Sequence, residues 1–564
     1  MPCEPGWEEM RAPQQSHCLF CSLCCPVSLE TGPGAELALR YGSGGLCGRG
    51  TSLVDLLQHP GRLSNALQRV DGRIEPLGLE EAGKVFGRLV DRALEEGPVA
   101  LVADANLPCE DLAAIQHWAR SRDGEAIAAV HFPPADLDLL DGLSAAPLIS
   151  PEELDTCDGF VVVGDVFATH PLLGRPLLDA KYADPRAPFA AVDVHASTTY
   201  RFGNPGLKIA PGAHQAVLRL LGRARSGSEV DLRQLSEVAD IDAEDARALA
   251  GQLQRVKKLG VVIAAELTKN ADWQSVAALA GELARDGAVL PLFTCGNAAG
   301  AYRVARNLGM QRFAELVQMG GERPWAAVIE VGCDPRQTYP EDMLEALYGG
   351  APCRIVLGCM RAPHLEAADL AVALQMPGEC TGTAVDGGGE EKRLAPAVRP
   401  APGAVGASDF FRLSTEGNGG GEVPWKEAPA PLSAPELEAA EIQLSTDGLA
   451  HLVAQTSAIH FDDGALSRRA GWTEHWQNEP SVSVAPELAG QLGVRSGARV
   501  VLEQNGRILP LPCRIDPSLD ASVALVPVHF AAVRHFLPWR LEEGRLRCAT
   551  PIVRISVATR RGGY

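Results

Sequence analysis

The chain has 564 residues, 46% of them hydrophobic and 22% charged, with a net charge of −20. That length exceeds what one core holds, so several domains are expected. The acidic balance, without Lys/Arg clusters interleaved with aromatics, excludes the electrostatic footprint of a nucleic-acid binder.

The opening "MPCEPGWEEMRAPQQ" has neither a basic n-region nor an apolar h-region, and no run reaches the roughly 20 apolar residues of a membrane span. A cytoplasmic protein with no membrane span is expected, its fifteen cysteines serving as thiols or metal ligands rather than disulfides. The first element is a cysteine loop, "HCLFCSLCCP", which places Cys18, Cys21 and Cys25 in C-x2-C-x3-C spacing, with Cys47 following in "GGLCGRG". Three close ligands and one late ligand favour a [4Fe-4S] cube over zinc, whose structural sites more often pair ligands two and two. Cys24 offers an alternative third ligand, because C-x2-C-x2-C is also ferredoxin-like; Cys25 is preferred.

Downstream, the apolar runs "PVALVAD", "DGFVVVGD", "PFAAVDV", "LGVVIAA", "WAAVIEVG" and "CRIVLGC" alternate with helical patterns. That alternation predicts an α/β protein with parallel sheets covered by helices. Residues Ala401 to Ala439 are rich in Pro, Gly and Ala and read as a connector. Beyond it, short alternating runs split by "RSG" and "QNG" predict a small β-barrel. The expected domains are a cysteine-cluster domain at 1–75, interleaved α/β domains at 76–400, a linker with connecting helices at 401–476, and the barrel at 477–564. Cys157, Cys353 and Cys513 stand singly in apolar or turn segments and read as small buried hydrophobes.

The stretch "LCGRGTSLVDLLQHPGRLSNALQRVDGRIEPLG" resembles the opening domain of the molybdopterin oxidoreductases, the family of formate dehydrogenases and nitrate reductases. Its parts are a cysteine with a basic residue and Gly close behind, His-Pro-x-Arg-Leu, and a basic residue shortly before Asp-Gly. Five further segments follow in the family's order. "DGFVVVGDVFATHPLLGRP" resembles the strand and loop that receive one pterin dinucleotide, with Gly164, His170 and Pro171. "VDVHASTTYRFGNPGLKIAPGAH" resembles the next element, with Asp193 and Gly212, and "VIEVGCDPRQTYPE" the equivalent turn of the second half, with Gly332 and Asp334. "ECTGTAVDGGG" is similar to the Glu-x-x-Gly-Thr segment, with Thr383, and "VAPELAGQLGVRSGARVVLEQNGRILPLPCRI" to the C-terminal barrel that closes over the cofactor.

The resemblance implies a multi-domain molybdopterin oxidoreductase fold holding a molybdenum or tungsten pterin dinucleotide, which supplies the hard chemistry while the protein orients it. It also implies a [4Fe-4S] cluster on Cys18, Cys21, Cys25 and Cys47 as electron exit, and partner subunits with further redox centres. Arg49 stands two residues after Cys47, where many relatives carry a lysine between cluster and pterin. A fixed positive charge there favours the reduced states of both. Backbone amides around Gly164, Gly212 and Gly332 are expected to cradle phosphates.

One departure concerns the metal. Formate-oxidising members place a cysteine or selenocysteine on it just after the second strand of the catalytic domain, and here that region, "EAIAAVHFPPADLDLLDGL", has no cysteine. His131 is the candidate acid or base there, set against a merely packed histidine. Asp136 is either a metal carboxylate or a solvated loop residue. Cys109, in "DANLPCEDL", is a second thiol candidate whose helix-start position is expected to lower its pKa. "GCDPRQTYP" resembles the metal subunit of formylmethanofuran dehydrogenase, here fused to a barrel that is a separate subunit in that system. "CGNAAGAYRVARNLGM" is faintly similar to the large electron-transfer subunit of complex I, which has lost the pterin. The two resulting readings are an oxidoreductase acting on a one-carbon substrate, formate or a formyl group, and a non-catalytic electron-carrying or scaffold subunit. The four retained ligands and the barrel favour the first.

Overall fold

The computed structural model describes residues 15–31, 37–41, 45–122, 125–143, 146–270, 272–285, 287–414 and 449–557. Most of the expected connector lies outside them. Strands β1 (Gln15–His17), β2 (Pro26–Thr31) and β3 (Leu37–Tyr41) form a small antiparallel sheet whose first connection is the cysteine loop. The hairpin of β4 (Ala66–Val70) and β5 (Arg73–Leu77) turns on Asp71 and Gly72, at φ 49° and 79°. Positive φ at both central residues gives the two-residue turn whose twist suits a hairpin, for which Asp-Gly is a strong signal.

Strands β6 (Val99–Asp104) and β7 (Ala126–His131) open a second, larger sheet. The chain then leaves it to build a five-stranded parallel sheet from β8 (Gly159–Val163), β9 (Phe189–Asp193), β10 (Gly206–Lys208), β11 (Leu259–Ala264) and β12 (Ala288–Leu292). It returns with β13 (Gln311–Arg312), β14 (Ala327–Val331), β15 (Cys353–Gly358) and β16 (Leu370–Ala373). The strand orders are β10-β9-β8-β11-β12 and β13-β7-β6-β14-β15-β16-β4-β5. Every residue of β8, β9, β11, β12 and β14 is buried, because helices cover both faces; their sequences are therefore continuous apolar runs rather than alternating ones. The hairpin β4–β5 pairs through β4 with β16, so the large sheet reaches back across the expected boundary at residue 75.

Six strands close a barrel: Leu449–Gln455, Val482–Val484, Arg499–Gln504, Arg507–Ile515, Val523–Pro527 and Ile552–Val557. Its first strand precedes the expected start at residue 477, because Leu449–Gln455 pairs in parallel with Val523–Pro527 and closes the ring against Ile552–Val557. The α/β architecture with parallel sheets and a C-terminal barrel is thus the one the sequence led us to expect. Among the described residues no helix is long and apolar enough to cross a membrane.

The five-stranded sheet (hereafter the first sheet) and the eight-stranded sheet (the second) each contain a reversal of strand order among their parallel strands. From β8 the chain adds β9 on one side and β11 on the other; from β6 it adds β7 on one side and β14 on the other. Such reversals open a crevice at the carboxyl ends of the strands, where open α/β sheets receive ligands. Gly164, at φ 89°, ends β8 and Gly332, at φ 82°, ends β14, so both glycines of the sequence reading stand at these crevices in a backbone conformation that other residues resist.

Candidate active site

The cysteine loop is closed by its own backbone: the amide of Cys18 donates to the carbonyl of Cys25 at 2.8 Å and that of Cys24 to Cys21 at 3.3 Å. Cys24 takes a left-handed φ of 44°, and its thiol donates to the carbonyl of Gly296 at 3.2 Å. There it packs with Leu19, Ala384 and Leu394. Cys18, Cys21, Cys25 and Cys47 lie near enough to one another for their charges to interact. Burial first, then the neighbouring thiols, pushes Cys18 and Cys25 up, and at Cys21 burial is opposed by Arg49.

Arg49 lies in the first turn of the helix Gly48–Leu57, whose N-cap is Cys47, and is 1% exposed. Its guanidinium donates to the carbonyl of Thr169 in the "GDVFATHP" loop, and its Nε has no partner among the described residues. A buried cation beside four neighbouring thiols suits an anionic metal–sulfide cluster, whose cysteines bind as thiolates. Among the described residues no group of three or more His, Cys, Asp or Glu side chains is placed to hold a metal ion.

A cavity of about 260 Å³ occupies the second sheet's crevice. Asp104, His131, Gly332 and Asp334 reach it from the strand ends, Leu19 and Phe20 from the cysteine loop, and Asp462 and Asp463 from the segment that follows the first barrel strand. Phe20 stacks on Phe461, ring centroids 3.9 Å apart and planes 8° apart, which clasps the loop to that segment.

The cavity's polar groups lean toward their neutral forms. Asp104 accepts from the Asn106 amide at 2.9 Å, yet burial and then the charge of Asp462 push its pKa up to about 8. The same two causes push Asp463 to about 7. His131 has Phe313 and Tyr339 edge-on at 4.9 and 5.8 Å; burial pulls it down to about 4, and its Nε2 has no partner among the described residues. At neutral pH the cavity therefore offers a carboxylic acid able to give a proton and an imidazole able to take one. Asp334 differs. Burial would raise it, but His364 at 3.1 Å and Arg336 at 2.7 Å hold its carboxyl well below the ordinary range.

The first sheet's crevice is filled by side chains. Lys269, in the loop after β11, donates to Asp193 at the end of β9 at 2.8 Å and also pairs with Glu266. Burial opposes all three charges, but Lys269 keeps Asp193 ionised and the two carboxylates hold Lys269 charged. The amides expected to cradle phosphates are also engaged within the fold: Gly164 donates to Val192, Gly212 to Lys269 and Gly332 to Leu357, each at 2.9 Å. His170 is 1% exposed, with Nε2 against the carbonyl of Phe293 at 2.9 Å; burial and then Arg49 lower its pKa to about 3. Pro171 opens the 3-10 turn Pro171–Leu173.

Several sequence-selected residues take other places. Thr383 gives both its amide and its hydroxyl to Glu110, at 2.7 and 2.8 Å, and so ties the hairpin Gly382–Leu394 to the helix Cys109–Arg120; it does not line the cavity. Cys109 begins that helix, but burial outweighs the helix end and pushes its thiol up to about 12, not down. Asp136 is fully buried rather than solvated, and accepts from the Thr294 amide, the Thr294 hydroxyl and the Cys295 amide, each at 3.0 Å. The sequence reading missed Asp104, Asp462, Asp463 and Lys269. Asp104 had a signal, an acid closing the strand run "PVALVAD". It also missed Cys295 and Cys333, which line the cavity from other strand ends and so escape a search confined to the neighbourhood of His131.

No family model and no curated protein matches the chain. Among solved structures, acetylene hydratase from Pelobacter acetylenicus is similar with a TM-score of 0.69, at 11% sequence identity, over 94% of this chain and 93% of that one. The likeness is one of fold.

Proposed function

We propose that the chain is the metal-pterin subunit of an oxidoreductase, carrying a [4Fe-4S] cluster on Cys18, Cys21, Cys25 and Cys47 and acting on a one-carbon substrate such as formate or a formyl group. The observation that carries this reading is a shared wall: Leu19 and Phe20, between the first two cluster cysteines, line the cavity at the second sheet's crevice. Electrons leaving a reaction in that cavity have the cluster as their nearest exit. The ordered segments resembling the molybdopterin oxidoreductases, together with a fold similar to acetylene hydratase along its whole length, support a pterin in the cavity.

When bound, molybdenum or tungsten held by pterin sulfurs supplies the two-electron chemistry. This chain's residues do the rest. Asp104 holds a proton at neutral pH, His131 accepts one at Nε2, and Phe20 stacked on Phe461 excludes water from the cluster side. Arg49 places a buried positive charge between the cysteines and the loop at Thr169. The electrons that reach the cluster need an acceptor, so a partner subunit with further redox centres belongs to this reading. Protein purified anaerobically from its own host should hold about four iron per chain with molybdenum or tungsten and extractable pterin. Iron without either metal or pterin would leave the electron-carrier reading and end this one.

A further inference from the structure

We propose that the crevice of the first sheet is a closed structural element that seats no nucleotide, so that of the two crevices among the described residues only that of the second sheet is left for a pterin dinucleotide. The inference rests on the cofactor reading above. It begins with strand order. β8 lies between β9 and β11, so a side chain that starts in the loop after β11 and bonds to the end of β9 must cross the end of β8, directly over the crevice. Lys269 does this: it is 0% exposed and its Nζ lies 2.8 Å from Asp193, with Glu266 as second partner.

The neighbouring donors are engaged as well. The Phe167 amide, in the short helix after Gly164, donates to the hydroxyl of Thr199 at 3.1 Å, and Asp165 accepts that hydroxyl at 2.9 Å. The barrel covers the top, leaving beside Glu266 and Thr456 a cavity of only about 40 Å³, too small for a nucleobase. Thr456 donates its amide to Glu266 at 3.0 Å, and Ala454 donates to the hydroxyl of Thr268 at 2.6 Å. Gly164 itself has no room for a side chain, since a Cβ there would lie 2.5 Å from the carbonyl oxygen of Ala264 on the paired strand. Neither Gly164 nor Asp193 nor Lys269 lines the cavity of the other half. A phosphate or nucleobase entering here would have to displace a fully buried cation from two carboxylates, at a cost typical of breaking a buried ion pair.

Counting nucleotide released by acid hydrolysis against molybdenum or tungsten in anaerobically purified protein gives the first test. One nucleotide per chain is expected; two would overturn closure while upholding the cofactor reading. No nucleotide and no such metal would end the cofactor reading, and closure is then decided by variants alone. Lys269→Met strands Asp193 and Glu266 side by side, so its melting temperature should fall by about 10 °C, and further at pH 8 than at pH 5. Replacing all three charges, Asp193→Asn with Glu266→Gln and Lys269→Met, should recover most of that loss and leave nucleotide content unchanged. A Lys269→Met protein that melts with the wild type, or a triple variant that loses nucleotide, would overturn the inference.

Discussion

At the ends of β6 and β14 the chain leaves a cavity of about 260 Å³ faced by Asp104 and His131, whereas at the ends of β8 and β11 it sends Lys269 across the gap to Asp193. The two crevices arise from the same reversal of strand order, and both begin at a glycine with positive φ. Their electrostatics are opposite. In the open crevice burial and the charge of Asp462 act together on Asp104, and at His131 burial outweighs the nearby carboxylates of Asp462 and Asp334, so each is driven toward its neutral form. In the filled one, partners within hydrogen-bond reach overrule burial at Asp193 and Lys269, which stay charged, while at Glu266 burial wins and raises the carboxyl. Topology thus supplies two candidate sites, and the loops that follow the strands leave one open and fill the other.

The largest expected effect concerns the cysteine loop, which borders the open crevice through Leu19 and Phe20. Cys25→Ser should abolish cluster iron, whereas Cys24→Ser should retain it, since the Cys24 thiol is turned to the carbonyl of Gly296. Iron content and the cluster's visible absorption check this; equal loss in both variants would detach the loop from the site as described. Next come the glycines. Gly164→Ala meets the Ala264 carbonyl at 2.5 Å at positive φ and should cost about 3 kcal/mol. Gly332→Ala meets Asp104 Cβ at 3.1 Å and should cost about 1–2 kcal/mol, with a larger effect on metal content than on melting.

A smaller effect is pH dependence in cofactor-free protein. The folded pKa of Asp104, about 8, exceeds the ordinary carboxylate value, so its stabilising contribution is complete below about pH 4 and is lost as pH rises toward 8. Asp104→Asn should therefore gain a few degrees of melting temperature over wild type at pH 8 and much less at pH 5. His131 has the opposite sign, its contribution being present above about pH 6.5 and lost as pH falls toward 4. Least affected should be Thr383→Val, which removes one hydrogen bond to Glu110, about 1 kcal/mol, and should leave metal content unchanged.

Much of this architecture was legible in the sequence because burial on both faces writes itself as apolar runs, as in "DGFVVVGD" and "WAAVIEVG". Gly164 and Gly332 were legible for a related reason, since a strand ending in glycine marks a turn of unusual backbone. The strand Leu449–Gln455 was missed because its pairing with Val523–Pro527 is set by barrel closure, which no local pattern announces. Lys269 was invisible for a similar reason: "ELTKN" is an ordinary loop until strand order brings it to Asp193. Cys109 shows a rule overridden, its helix-start position outweighed by complete burial.

The account's central claim is that one crevice is used and the other is filled, with the cluster beside the used one. Anomalous scattering from crystals of anaerobically purified protein, recorded at the iron edge and at the molybdenum and tungsten edges, locates each metal directly. The expected result is iron density within reach of Cys18, Cys21, Cys25 and Cys47 and a heavier metal in the cavity near Asp104 and His131. A heavier metal or nucleotide density in place of the Lys269–Asp193 pair, or iron away from those four cysteines, would contradict it.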